Sequence, residues 1–416
     1  MADPRVILVQ SGARRDYELA HMLERTGSLA RLNTTSAWVE GHVSLLDRVL
    51  ARLGGRFASA AGRRRIAGIP AKKIRTSVSA DIARQAGDRF FPDVQSARKL
   101  QNYVLGRSVT RDGLNAANIL FSVDGNGGFD LLRKARDAGL LVVSDIIITP
   151  LSERVVAEEQ ARWPDLGSEA VSDRQVALFE EHNRQLIALS DILICPSATV
   201  EEGVLTLAPD AADRIVRIPY GLGGYEIGRG TPRPGRVLFA GSGAIRKGLP
   251  YLGQAATLLK SIDPQVEVVV AGDFADSIRH NPLFSDLTFL GRLPRDAMMN
   301  EFAKADLFCL PSLAEGSAGV CLEALATGVP LVVTKEAGAP IEHDKAGLIV
   351  PKRDADALAQ AIARIVNDRQ MRDRMSETAI RGAADHKVER LAERLHVVLS
   401  EKLEAIDMVD AARQSG

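Results

Sequence analysis

From Arg236 onward the chain alternates strand-length runs, apolar on consecutive residues, with stretches of helical period: RVLFAG, VEVVVAG, LTFLG, DLFCLPS, PLVVT and GLIVP. A strand with one wet face alternates apolar and polar residues, whereas a strand covered by helices on both faces buries every one. These runs therefore predict a parallel, doubly wound sheet. The N-terminal half repeats the pattern less regularly, with RVILVQ from Arg5, NILFSV from Asn118, LLVVSDIII from Leu140, DILICPS from Asp191 and RIVRIP from Arg214. A long interruption separates the first two of these, between about residues 40 and 115.

A chain of 416 residues, 46% of them apolar, exceeds one ordinary core and suits two. The stretch IPYGLGGYEIGRGTPRPGR, from Ile218 to Arg236, is dense in Gly and Pro and reads as the join. The expected division is an N-terminal Rossmann-like domain over 1–220, a linker over 221–235, a second such domain over 236–390 and a terminal helical segment over 391–416. That last segment carries Leu391, Leu395, Val398 and Leu399 on one stripe.

Charge and cysteines exclude several classes. Lysine plus arginine equals aspartate plus glutamate, 53 each, so no overall field favours nucleic acid. The three cysteines, Cys195, Cys309 and Cys321, are far apart in apolar runs, which gives neither a disulfide framework nor metal-ligand spacing. The N-terminal MADPRVILVQSG lacks a signal-peptide apolar region, and no apolar stretch reaches membrane-spanning length. A cytoplasmic location is expected, with the inner face of the cell membrane as the alternative.

In open parallel sheets ligands bind beyond the carboxyl ends of strands, so the residues after each strand are the candidates. After RVLFA come Gly241, Ser242 and Gly243, then Arg246, Lys247 and Gly248. Glycines admit an anion to backbone N–H groups, and an Arg-Lys pair suits a diphosphate. A plain strand, turn and helix with a basic first turn is the competing reading, disfavoured because cations sit badly at a helix N-terminus unless an anion is present. After DLFCLPS come Glu315, Gly316, Ser317, Ala318 and Gly319, then Val320 and a helix carrying Glu323. The small residues leave the first-turn amides of that helix open to phosphate, and Glu323 is suited to gripping ribose hydroxyls. Alternatively Glu315 is a solvated loop residue and Glu323 a favourable acid near a helix start.

Taken together, Gly241, Arg246-Lys247-Gly248, Ala271-Gly272, Gly291, Pro311-Ser312, Glu315-Gly316, Glu323-Ala324, Gly328, Pro330 and Gly347 resemble the C-terminal domain of glycosyltransferase family 4, a group of retaining enzymes with the GT-B fold. The resemblance covers about residues 236 to 385, and its most specific part is the pair of glutamates, Glu315 and Glu323, inside PSLAEGSAGVCLEALATGVP. It implies two Rossmann-like domains facing a central cleft. It also implies transfer of a sugar from a nucleoside diphosphate to an acceptor hydroxyl with retained configuration. By motif, Glu315 would contact the donor sugar, Glu323 the nucleotide ribose, and Arg246 and Lys247 the diphosphate. The loop SGARRDYELAHML, with Gly12, is similar to the family's acceptor-side loop. Where that family often places a His after the strand LLVVSDIII, this chain has Ser144-Asp145, and Tyr220 stands where Asn is more common.

Preorganised cations and amides would stabilise the departing phosphate without a metal. Asp354 and Asp356 form the sole D-x-D and open a predicted helix, which N-capping explains, so no metal site is expected. The segment from Val43 to Arg75 is strongly basic, with Arg48, Arg52 and Arg56 on a face beside an apolar stripe. It reads either as a surface for anionic membrane and a lipid-linked acceptor or as a helix packed on the first domain with a solvated rim. Lacking interleaved aromatics, it does not read as a nucleic-acid site. Other GT-B enzymes, of glycogen-synthase or nucleotide-sugar epimerase type, and a non-catalytic sugar-nucleotide-binding scaffold are the rival readings.

Overall fold

The structure is a computed structural model that describes residues 3–39, 65–91, 93–166, 170–223 and 228–414, with side chains to residue 405. Residues 43–64 of the basic segment, and with them its apolar stripe, lie outside the described residues. Of the remainder, Lys73 pairs with Glu24 at 2.7 Å and Arg75 donates to the carbonyls of Lys72 and Ile74, so these cations lie along a strand edge.

Among the described residues there are fifteen strands, β1 to β15 in chain order. The N-terminal sheet contains β1 (Val6–Gln10), β2 (Leu29–Thr35), β5 (Ile74–Ser77), β6 (Ile119–Val123), β7 (Leu141–Asp145), β8 (Ile192–Cys195) and β9 (Ile215–Arg217), in the order β5-β2-β1-β6-β7-β8-β9. A short pair, β3 (Trp38–Val39) and β4 (Arg65–Ile66), lies outside it. The C-terminal sheet contains β10 (Arg236–Ala240), β11 (Glu267–Ala271), β12 (Leu287–Gly291), β13 (Leu307–Leu310), β14 (Leu331–Thr334) and β15 (Gly347–Val350), in the order β12-β11-β10-β13-β14-β15. Every pairing in both sheets is parallel. All five residues of β1, β6 and β10 are buried, as the consecutive apolar runs require.

Two strands of the N-terminal sheet, β2 and β5, are not legible as apolar runs. In β2, LARLNTT, the side chains of Asn33, Thr34 and Thr35 are buried. Asn33 and Thr35 find partners, as buried polar groups generally do, whereas Thr34 Oγ1 has none among the described residues. Arg31 donates to Asn33 Oδ1 at 2.8 Å and to the carbonyls of Asp112 and Gly113, at the end of the Val94–Arg111 helix. The edge strand β5, IRTS, buries only its first and last residues.

Both sheets reverse direction at one place. In the first, the chain builds outward from β1 and then returns to its other side with β6; in the second, β10 and β13 play the same parts. The loops after β1 and β6 meet those after β10 and β13 across a cleft, as the rule for such crevices requires. The last helix closes the circuit: Val388–Gln414 packs Leu391, Leu395, Leu399 and Leu403 into the N-terminal core beside Val6, Leu8 and Leu23. Leu222 in the first connection donates its N–H to His386 in the second, so the two crossings run side by side.

A second junction holds the halves together. Glu159, in the Ser152–Arg162 helix, is fully buried. It accepts from Tyr251 Oη at 2.7 Å and from Arg353 Nε at 2.6 Å, both from the C-terminal half, and pairs with Arg162 at 3.0 Å. Trp163 stands edge-on to Tyr251 at 5.9 Å. A buried carboxylate is sustained by this number of partners and by little less.

Candidate active site

The C-terminal wall is built from the loops after β10 and β13. Leu313 donates its N–H to the carbonyl of Arg246 at 2.8 Å, lacing the two together. Lys247 folds back over Gly241, where a Cβ would fall 2.4 Å from Lys247 Cδ, and reaches Glu315 Oε1 at 2.7 Å. Arg246 Nη1 lies 2.8 Å from the same oxygen and donates to the carbonyl of Ala314. Burial opposes ionisation of Glu315, yet the two cations outweigh it and hold the carboxyl below its ordinary range. The anion that the basic first turn demands is thus supplied by the protein itself. This corrects the argument that those cations by themselves require a foreign one. What remains is two cations sharing one carboxylate, with one positive charge in surplus.

Gly316 occupies the crossing between the halves. A Cβ there would meet the carbonyl oxygen of Ile147 at 1.9 Å, and its own carbonyl accepts from Ser197 Oγ. Beside it, Ser317 is buried and its Oγ has no partner among the described residues. An orphaned hydroxyl in a cleft marks a place for a polar ligand atom. Ala318 departs from the open-amide expectation, because its N–H donates to the carbonyl of Ala337 at 3.0 Å. The amides left at the start of the Gly319–Ala326 helix are those of Gly319 and Val320. Glu323 sits half-buried in the fifth position of that helix, outside the cavity that Glu315 and Ser317 line.

The N-terminal wall was largely missed from sequence. Gly12 turns the chain after β1 and donates its N–H to Thr35 Oγ1 at 3.2 Å, so that amide is committed. Gly243, likewise at positive φ, turns the chain after β10. Arg14 is the residue of the first loop that lines the cleft, together with Asp124, Arg246, Glu315, Gly316 and Ser317. It donates to Tyr220 Oη at 2.9 Å, and Tyr220 Oη donates in turn to the carbonyl of Ile147. Arg15, Asp16 and Tyr17 follow with φ of 47°, 50° and 61°. Three consecutive left-handed residues without glycine are costly and concentrate where function requires a shape. That shape brings Arg15 over the Gly319 helix start, its Nη1 only 2.6 Å from where a Gly319 Cβ would stand. Glu18, at 3.1 Å, balances it.

Ser144 is turned into the sheet, accepting from Ser190 Oγ at 2.7 Å, whereas Asp145 stands near Arg14 with Oδ1 unpartnered among the described residues. Burial, offset by Arg14, pushes Asp145 up to about 6. Asp124, in a left-handed turn after β6, is likewise pushed up to about 6 by burial against the pull of Arg98 and Arg14. The signal that could have found this wall is the glycine-rich DGNGG after β6, at the reversal of strand order. As for Asp354, it accepts from the N–H of Ala357 at 2.8 Å as an N-cap.

Fold and cleft together define the class: two Rossmann-like halves of GT-B architecture with a charged crevice between them. Residues 231–382 match the family model described as glycosyl transferases group 1. Among curated proteins the chain is similar to a phosphatidyl-myo-inositol mannosyltransferase of Mycolicibacterium smegmatis, 36% identical over 34% of this chain and 39% of that one. The matched stretch spans less than half the length of the curated relatives. Over nearly the whole chain the fold resembles sucrose-phosphate synthase from Thermosynechococcus elongatus, at TM-score 0.63 and 16% identity, covering 97% of this chain and 100% of that one. It also resembles HepE of Anabaena, solved in complex with UDP and glucose, at TM-score 0.57 and 14% identity, covering 96% and 100%.

Proposed function

We propose that the protein is a retaining glycosyltransferase that moves a sugar from a nucleoside diphosphate to an acceptor hydroxyl on a glycan or lipid-linked glycan in bacterial envelope, exopolysaccharide or glycolipid assembly. The observation that carries this reading is the cluster of Lys247, Arg246 and Glu315 in one cleft with the unpartnered Ser317 hydroxyl, opposite Arg14. The matching family model over 231–382 and the UDP and glucose held by a protein of the same fold support it.

In this reading the leaving diphosphate lies against Lys247 and Arg246, with the amides of Gly319 and Val320 and the guanidinium of Arg15 completing its surroundings. Glu315, ionised and buried, keeps both cations in place before the donor arrives and meets the sugar hydroxyls afterwards. As the bond to the diphosphate breaks, charge grows on the bridging phosphate, and a lysine already fixed within the cleft stabilises that charge without reorganising. Glu323 would grip the ribose. No metal ion is required by this arrangement, and the nucleoside diphosphate sugar is substrate and not a resident cofactor. Among the described residues no helix is long and apolar enough to cross a membrane.

A thermal-shift series with UDP, GDP and ADP tests the donor side, since a ligand bound only by the native state raises apparent stability. The reading predicts a rise with at least one of them that Lys247→Ala abolishes. No rise with any nucleoside diphosphate contradicts it. Product anomeric configuration, read by NMR, tests retention.

A further inference from the structure

The cleft does not end at Glu315. The cavity containing Arg246, Glu315 and Arg14 shares Gln95, Arg98 and Asp124 with a second one on the N-terminal half. That second cavity shares Lys99, Asn102 and His182 with a third, lying between the Val94–Arg111, Gly128–Asp137 and Asp173–Leu189 helices. The three form one trough leading away from the point of transfer.

Its charge is uneven in a molecule whose total is balanced. Arg98 and Lys99 are exposed on its wall and make no ion pair among the described residues. Farther along, Arg107 and Lys134 add to them, while Arg133 is cancelled by Asp130 at 3.2 Å. The opposing carboxylates are Glu153, at the end nearest Glu315, then Asp124 and Glu181, and Glu181 accepts from Gln185 at 2.8 Å. His182 adds no charge at neutral pH, because burial and then Lys99 and Arg98 depress it to about 4. Cations left unpaired beside one another repel, and the arrangement is stable in use when an anion sits between them. Phe179 and Tyr103 offer ring faces in the same trough, suited to the apolar side of a sugar.

Resting on the transfer reading above, we infer that this trough holds an acceptor glycan bearing an oxyanion, a phosphate or a carboxylate, which Arg98 and Lys99 grip on the unit that presents the reacting hydroxyl or its neighbour. The donor diphosphate does not account for these cations, since Lys247 and Arg246 serve it from the opposite wall. The acid group sets acceptor choice, and the groove beyond it accommodates further sugar units.

The test uses the full chain saturated with whichever nucleoside diphosphate it binds, or without one if none binds, and titrates glucose 6-phosphate, glucuronic acid and glucose by ligand-observed NMR. One or both charged probes should bind about tenfold more tightly than glucose, a preference worth one charge-assisted contact. The phosphate and the carboxylate arms separate the two sources of the oxyanion. Arg98→Gln with Lys99→Gln should erase that preference while leaving nucleoside diphosphate binding unchanged, which also reports that the variant is folded. Equal binding of glucose, an undiminished preference in the variant, or displacement of the charged probe by nucleoside diphosphate each overturns the inference. Loss of the transfer reading shows instead as absent nucleoside diphosphate binding in the unaltered protein, a separate readout.

Discussion

The two halves use the same topological device to opposite effect. In the C-terminal half, the loops after β10 and β13 close on each other, with Lys247, Arg246 and Glu315 joined at 2.7 to 2.8 Å before any ligand is present. In the N-terminal half, the loops after β1 and β6 are joined by the Ser11 N–H donating to Asn126 Oδ1, but Arg14 and Asp124 form no ion pair among the described residues, and Arg98 and Lys99 stay unpaired on the adjoining wall. A leaving group common to many reactions can be met by a preformed, internally neutralised clamp. On the proposed reading, an acceptor peculiar to one reaction would be met by charges held in reserve.

The comparison breaks most visibly at Lys247. Lys247→Ala removes the fixed cation and is expected to lower turnover about 10²- to 10³-fold, the usual cost of one preorganised charge-stabilising group; steady-state kinetics at saturating donor checks this. Glu159→Ala should leave the clamp intact but strip Arg353 of its buried partner, costing about 3 kcal/mol in denaturant unfolding. Gly316→Ala forces a methyl against the Ile147 carbonyl, separating the halves at their crossing. An overpacking cost of about 1–3 kcal/mol is expected in the same assay, with a raised donor KM.

The smallest effect concerns protons. Asp145 and Asp124 sit near 6, raised from 3.8, so each contributes stability that is complete below 3.8 and is lost as pH rises from there to about 6. Asp145→Asn should therefore show a shallower fall in Tm between about pH 4 and 6 than the unaltered protein. An identical pH profile would mean that Asp145 is charged throughout that range.

Legibility followed the same divide. The C-terminal strands could be read because helices cover both of their faces and leave every residue apolar. Glu315 stands out because it follows a strand, and it is paired with Glu323 only through the resemblance of the surrounding stretch to family 4; of the two, Glu315 lines the cleft. On the other side, β2 buries Asn33 against Arg31 and Asp112, a partner that only the folded helix end supplies, and buries Thr34 beside it, so its run does not look like a strand. Arg14 and Tyr220 are 206 positions apart and meet only through the fold. Nor does local sequence reveal that the amides of Ala318 and Gly12 are spent on Ala337 and Thr35.

The central claim is that this cleft breaks a bond between sugar and nucleoside diphosphate. It is tested most directly by incubating the protein with a panel of sugar nucleotides and acceptor extracts and measuring released nucleoside diphosphate. Acceptor-dependent release from one donor, abolished in Glu315→Ala while that variant remains folded, is the predicted result. Release from no donor, or release that Glu315→Ala leaves unchanged, contradicts it.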